Sequence, residues 1–580
     1  MTQILGKDAP LEESIERMSA GLQALGFEIE ETRWLNPVPH VWSVYIHEKH
    51  CPLLFANGKG TSREAALASA LGEFFERLSC NYFFADYFLG SKIASGDFVH
   101  FPYERWFPVK SAEWPEGLLD EGARNHYDLN NEIHPEALID INSGNEARGI
   151  CALPFVKQST RETVWFPVNI LGNLYVSNGM AAGNSIWEAR VQALSEIFVR
   201  HIKNTIISSG ISLPLIPESE IAKHPKVKGA LRTLRSKGFV VEVRDASLGG
   251  KFPLVNITLI NPVDGGCYAA FGAHPKFAVA LERAVLDLLQ GRELEQLIDF
   301  PIPTLDIEEA ADPHNLETHF IDSSGVFAWD MLSATTDYPY TPWNIEGDTQ
   351  AEFDELCFRI HRVDMDIYIA DYEHLGVYTC RIVVPGMSEI YPVDELIWRN
   401  NNAAAPLRPA LLALSDLDAE GFADLLDALE DAAFNEEQLV ADLIGVVPDA
   451  GTVWSWLRIG ELKMRLALAS GDRQLGLELC EWVLGFAHIP SRALTTYRCL
   501  HQLLSIELDE SRDLVDFLPV FERIYGTEMI RMVQGFLTGD GLFDDFGTHD
   551  ESLKGFIYHH KLLDAYARLQ VAKQQLVLTD

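Results

Sequence analysis

The sequence predicts an α+β protein whose last third is all helix, and three observations carry that expectation. Three segments pass from a short apolar strand through glycine into an amphipathic helix, at SALGEFFER, SIWEARVQALSEIFVRH and FAVALERAVLDLLQGREL. Strand-like runs and loops fill most of the remainder of residues 1–395. From about Asn400 onward the apolar residues recur almost entirely at helical spacing. A chain of 580 residues exceeds one ordinary core, so two or three domains are expected, with a boundary between residues 395 and 400.

Charge narrows the function. The sequence holds 46 basic against 85 acidic residues, a net charge of -39, which repels phosphate backbones and anionic lipid headgroups. This argues against nucleic-acid and membrane partners. The N-terminus MTQILGKDAPLEES lacks a basic start followed by an apolar run, and no stretch of about 18 uninterrupted apolar residues follows, so a cytoplasmic location is expected. The 8 cysteines show no CxxC and no close grouping with histidine, which reads as reduced, buried thiols rather than a zinc site. The pair His559 and His560 and the lone His374 lack ligand spacing to an acid or thiol.

In chain order, Lys7 precedes an amphipathic helix from about Leu11 to Leu25. Strands VWSVYIHE and CPLLFANG follow, the second running into Asn57-Gly58-Lys59-Gly60. A glycine turn there would present backbone N–H groups to an anion, although GxxxxGK[ST] occurs nowhere. Next comes SALGEFFER: at about 100° per residue Ser69, Glu73, Glu76 and Arg77 share one arc, opposite Leu67, Leu71, Phe74, Phe75 and Leu78. Two carboxylates projecting from a face fixed by its core can hold a hard cation, and the plain alternative is a solvated acidic face.

Residues 85–165 read as loops and short strands, after which the pattern recurs. The apolar run FPVNILGNLYVSNG, read as a strand, leads through a turn at Met180–Asn184 into the helix SIWEARVQALSEIFVRH. An offset of 123 residues carries Gly60 to Gly183, Ala66 to Ala189, Glu73 to Glu196 and Arg77 to Arg200, an internal repeat. On the second helix Glu188, Gln192, Glu196 and Arg200 follow one another at i, i+4. The helix KVKGALRTLRSKG and strands FVVEVRDAS and FPLVNITLI lead to a third, weaker copy. There CYAAFGAHP precedes FAVALERAVLDLLQGREL, with Ala280, Asp287 and Gln290 in the places of Ala66, Glu73 and Glu76, and Arg283 one turn before Asp287. Three such units suggest one composite site. Residues 300–350 read as acidic loops, and strands near Tyr368 and Tyr378 close the domain near Pro392. Beyond it, Gly471-Asp472 and Asp509-Glu510 punctuate helix pairs about 38 residues apart, the spacing class of tetratricopeptide-like hairpins, which more often bind protein or dimerise than catalyse.

The three units and the later DYEHLGVYTCRIVVPG resemble the YcaO family over most of residues 1–395. The helical C-terminal part is similar to the subgroup described as accessory factors of a ribosomal-protein methylthiotransferase. The resemblance implies a YcaO-type ATP-binding domain over residues 1–395 and a tetratricopeptide-like interaction or dimerisation domain over 400–580. It implies an enzyme that uses ATP and magnesium to phosphorylate a peptide amide oxygen, serving β-methylthiolation of a small-subunit ribosomal protein. Position by position it would make Lys7, Ser14, Ser69, Asn184, Gln192, Arg200 and Arg283 nucleotide contacts, and Glu73, Glu76, Glu188, Glu196 and Asp287 magnesium ligands. Implied partners are a peptide or protein substrate, the methylthiotransferase and a second copy in a homodimer. One position departs from the pattern: Val199 stands where the second unit should carry the counterpart of Glu76, and an alkyl side chain cannot ligate magnesium. A second reading therefore stands beside the first, an ATP-binding adaptor of weak or no activity that recruits a partner through its helical domain.

Overall fold

A computed structural model of the chain describes residues 1–140, 146–396, 403–547 and 549–574. Among the described residues twelve strands form three antiparallel sheets. The first sheet runs β1(Ile29–Val38), β2(Val41–Glu48), β3(Phe55–Gly60) in order. A second has the order β10-β9-β8, with β8(Val240–Asp245), β9(Leu254–Ile260) and β10(Cys267–Ala273). The third has the order β4-β5-β11-β12-β7, where β4 is Arg105–Phe107, β5 Ile150–Lys157, β7 Met180–Gly183, β11 Tyr368–Tyr372 and β12 Tyr378–Val383; β6(Thr163–Pro167) pairs with β5.

Among the described helices of nine residues or more, α1(Leu11–Ala24), α2(Arg63–Ser79), α3(Ile186–Ser209), α4(Pro225–Ser236), α5(Phe277–Leu289), α6(Pro313–Ile321) and α7(Thr349–His361) surround the sheets. The three expected units appear as β3–α2, β7–α3 and β10–α5. Serine opens two of these helices in the same way: Ser62 Oγ accepts from Ala65 N at 3.1 Å, and Ser185 Oγ accepts from Glu188 N at 3.1 Å. Buried Leu71, Phe74, Phe75 and Leu78 seat α2 in the first core, and Ala189, Leu194, Ile197 and Phe198 seat α3 in the next. The apolar stripe fixes each helix about its own axis, so the opposite stripe has a defined direction.

Two local expectations are corrected. Asn57–Gly60, expected as an anion-presenting turn, and Met180–Gly183, expected as a turn, are both strand. Their glycines admit the following helix: a Cβ on Gly58 would lie 2.0 Å from Ala66 O, and one on Gly183 would lie 2.5 Å from Ala189 N. Gly272 of the third unit does the same against Ala280 O, at 2.3 Å. The apolar run from Phe166 is strand only to Pro167, then helical from Val168 to Tyr175. Its Ile170, Leu171, Leu174 and Tyr175 are wholly buried while Val168, Gly172 and Asn173 are half-buried, a helical spacing too short to be told from a strand in the sequence.

The C-terminal part is helical, with α8(Ala419–Asp431), α9(Ile459–Ser470), α10(Arg473–Val483), α11(Ser491–Glu507), α12(Leu514–Tyr525), α13(Thr527–Leu537) and α14(Ile557–Gln574). Most of these share one core, but Leu562, Ala565, Tyr566 and Leu569 of α14 are buried with Leu22 of α1, Phe74 of α2 and Phe84. Of the expected boundary between residues 395 and 400, residues 397–400 lie outside the described residues. All 8 cysteines are free and buried. No described helix is long and apolar enough to cross a membrane.

Candidate functional site

The polar faces of α2, α3 and α5 meet on one cavity of about 810 Å³. That volume lies in the upper range of small-molecule sites. Equivalent positions of the three units line it together: Ser69, Gln192 and Arg283; Glu73, Glu196 and Asp287; Glu76, Val199 and Gln290. Lys7, Ser14, Asn184, Glu188 and Arg200 lie on the same wall. Every site residue named from the sequence is therefore brought to this cavity.

Near one end, Glu188 is buried at 3% exposure and receives Lys7 Nζ at 3.0 Å, Asp8 N at 2.8 Å and Asn184 Nδ2 at 2.9 Å. Burial alone would raise its carboxyl pKa, but these partners together hold it below the usual value. Asn184 Oδ1 accepts from Ser14 Oγ and from Arg17 Nη2, both at 2.7 Å, so α1 is tied to the entrance of α3. Arg283 donates to Gln192 and, at 2.9 Å, to Ala273 O, linking α5, α3 and the end of β10.

Farther along, acids and bases alternate. Arg77 pairs with Glu73, Lys59 with Asp287, and Arg200 with Glu196 at 2.7 Å, while the Arg200 guanidinium sits 4.2 Å from the Phe320 ring centre. Among the described residues Glu76 is the one of the five named acids without an ion-pair partner. Burial, then Glu196 and Glu73, push its carboxyl well above the usual range, and burial also raises Glu73. Clustered carboxylate oxygens repelling one another in a half-buried wall suit a hard divalent cation, which removes the repulsion and takes oxygen ligands. The basic groups beside them suit phosphate oxygens. The donor set thus fits magnesium and a polyphosphate. Val199, at the counterpart of Glu76, instead packs on the core that holds Phe198 and Phe271.

Sequence reading missed Lys59, Arg17 and Lys203, which also line the cavity. Lys59 faces inward by the alternation of β3, a signal too short to isolate. Lys203 continues the stripe of Glu196 and Arg200 by one more turn, at i+7, and was legible. The structure also gathers His100, Asp140 and Cys151 so that their ligand atoms lie within 4.8 Å of one another, a grouping without a signature in linear spacing. None of the three lines the cavity.

Comparison with known proteins gives the following. Residues 57–388 match the family model described as YcaO cyclodehydratase, ATP- and Mg2+-binding, and residues 404–575 match that of the YcaO cyclodehydratase C-terminal domain. The chain is 50% identical over 99% of both lengths to the ribosomal protein S12 methylthiotransferase accessory factor of Escherichia coli K12. It is 47% identical over 99% of both lengths to an uncharacterised protein of Haemophilus influenzae. Among solved structures, a Methanopyrus kandleri YcaO protein bound with AMPPCP and Mg2+ aligns at 20% identity and a TM-score of 0.38, covering 66% of this chain and 92% of that one.

Proposed function

The chain belongs to the YcaO family, whose model is described as ATP- and Mg2+-binding, and from that premise we propose that it activates a peptide amide with ATP. The substrate belongs to the pathway that β-methylthiolates a small-subunit ribosomal protein, as the name of the Escherichia coli relative suggests. The observation that carries this reading is the convergence of three equivalent helical faces on one cavity, with Glu76 in no ion pair among the described residues and its carboxyl raised by burial, Glu196 and Glu73.

In this reading Glu73, Glu76, Glu188, Glu196 and Asp287 hold magnesium, and Lys7, Ser14, Ser69, Asn184, Gln192, Arg200 and Arg283 hold ATP. Bound Mg-ATP supplies the phosphoryl group that makes an amide oxygen a leaving group. The protein's own work is positioning and charge placement, so no nucleophilic triad is needed. Arg200, fixed between Glu196 and the Phe320 ring, offers a planar cation of set direction. The half-buried Arg283 keeps α5 and α3 in register through Gln192. Glu188 holds the N-terminal segment against the cavity through Lys7 and Asp8 N. The helical part, read as tetratricopeptide-like, serves partner binding or dimerisation.

Glu73→Gln tests the assignment: ATP affinity and hydrolysis should both fall by at least about tenfold, with the fold unchanged by circular dichroism. Unaltered turnover would sink it. Val199 favours the second reading, an ATP-holding adaptor. Val199→Glu separates the two, since a large gain in ATPase activity means that the natural site is impaired and the adaptor reading stands.

A further inference from the structure

Lys203 lies on α3 one turn beyond Arg200, at the cavity wall, and is 6% exposed. Its Nζ donates to His319 O and, at 3.2 Å, to Ser323 Oγ, two neutral acceptors. A tetrahedral amine has one further position, and Lys203 is itself a lining residue. Counting along α3 at about 1.5 Å per residue, Lys203 stands roughly 22 Å from Glu188 and a few ångströms past Arg200. A phosphate held at Arg200 would therefore lie within about one helical turn of Lys203.

We propose that Lys203 is the proton acceptor of the site, taking the proton that the acceptor must lose as its oxygen attacks the terminal phosphorus of ATP. The assignment rests on the amide-activating reading above. The step balances as follows. The amide oxygen forms a bond to phosphorus, and the bond from phosphorus to ADP breaks with its electron pair on ADP. The amide N–H proton passes to the Nζ lone pair, and the N–H electron pair becomes the second bond of C=N. When water replaces the amide, an O–H proton takes the same route.

Val199 is the second part of the device. It stands four residues before Lys203 on the same helix, where a glutamate would form an i, i+4 ion pair and hold the amine charged. The groups facing Lys203 are Arg200 on its own helix, Asp287 on α5, and His319 and Asp322 at the end of α6. Burial first, then Arg200, bring the amine down to about 7, against the opposing pull of Asp287 and Asp322. Burial and Lys203 in turn bring His319 down to about 4, so it adds no charge near neutrality.

Two measurements on the full chain test this. The first is unfolding temperature: Lys203→Met should raise it by about 2–4 °C at pH 7, with the gain fading toward pH 10 and absent in a Val199→Glu background. A loss equal at pH 7 and pH 10 would show a permanently charged strut and overturn the proposal. The second is Mg-ATP hydrolysis with water as acceptor. Its rate should rise with pH to a plateau with a midpoint near neutrality, and Val199→Glu should move that midpoint up by about one pH unit or more. Lys203→Met and the permanently charged Lys203→Arg should each lose about 100-fold in kcat while binding a non-hydrolysable ATP analogue with magnesium as the native chain does. Undiminished hydrolysis in Lys203→Met overturns this assignment alone. A native chain that binds Mg-ATP yet hydrolyses none overturns the amide-activating reading, and the assignment with it.

Discussion

Lys7 Nζ reaches Glu188 Oε1 at 3.0 Å across 181 positions of sequence, and this pair ties the N-terminal segment to the first turn of α3. Glu188 is 3% exposed, so an unmatched charge there is costly, while Lys7 is 35% exposed and partly screened. Lys7→Met should lower stability by about 1–2 kcal/mol, and adding Glu188→Gln should recover most of it, read by chemical unfolding. The pH sign follows from the lowered Glu188 carboxyl: its contribution is present above the unfolded value and is lost as pH falls through the folded one. The deficit of Lys7→Met should therefore narrow in acid.

Glu76 carries the opposite sign. Burial, Glu196 and Glu73 raise its folded carboxyl value, so the ligand-free protein loses stability as pH rises through that value. Glu76→Gln should raise the unfolding temperature of the ligand-free chain at pH 8 and have little effect at pH 4. It should also shrink the stabilisation gained on adding magnesium and ATP. Thermal unfolding with and without both ligands reads each effect, and a Glu76→Gln chain that gains as much from the ligands as the native one contradicts a metal role.

The close approach of strand to helix makes a paired test. A Cβ on Gly272 would lie 2.3 Å from Ala280 O, backbone that cannot yield without moving α5, whereas one on Gly72 meets nothing within 4 Å. Gly272→Ala should destabilise by about 2 kcal/mol or more, and Gly72→Ala should stabilise α2 by up to about 1 kcal/mol. Urea midpoints for the two variants should move in opposite directions.

The same contacts explain what was legible in the sequence. Gly58 and Gly272 stand eight residues before Ala66 and Ala280, and Gly60 and Gly183 six before Ala66 and Ala189, because each strand must lie on its own helix, and a packing requirement that recurs leaves a recurring spacing. The acidic and basic stripe followed from helical period once those units were aligned. The glycines were misread as turns because a glycine required for close approach and one required for a turn look alike without a partner. The run from Val168 to Tyr175 buries Ile170, Leu171, Leu174 and Tyr175 at helical spacing, but it is too short for that period to be told from a strand. Lys59 and Asp287 meet across 228 residues, from a strand to a helix in another sheet's layer, and nothing local announces such a pair.

The last helix of the helical part packs into the core of the site-bearing part, and truncation tests that dependence. Although α14 belongs by sequence to the C-terminal region, Leu562, Tyr566 and Leu569 are fully buried among Leu22, Phe27, Phe74 and Phe84. The Tyr566 hydroxyl donates to Val99 O, Lys573 Nζ to Asn81 Oδ1, and His559 Nε2 lies 2.8 Å from Phe88 O. Burying one large apolar side chain stabilises by about 1.5–3 kcal/mol, so ending the chain at residue 556 removes on the order of 5 kcal/mol or more and bares the apolar back of α1 and α2. Since α2 presents Ser69, Glu73 and Glu76 from its other face, the damage should reach the cavity. A chain of residues 1–556 should unfold at a markedly lower temperature, bind a hydrophobic dye, and lose affinity for Mg-ATP though every cavity residue remains. Tyr566→Phe, which removes one hydroxyl and leaves the ring in place, should cost only about 1 kcal/mol and leave nucleotide affinity unchanged. Native-like stability and nucleotide affinity in the 1–556 chain would mean that α14 is a passenger on the fold, and that outcome would contradict the packing seen here.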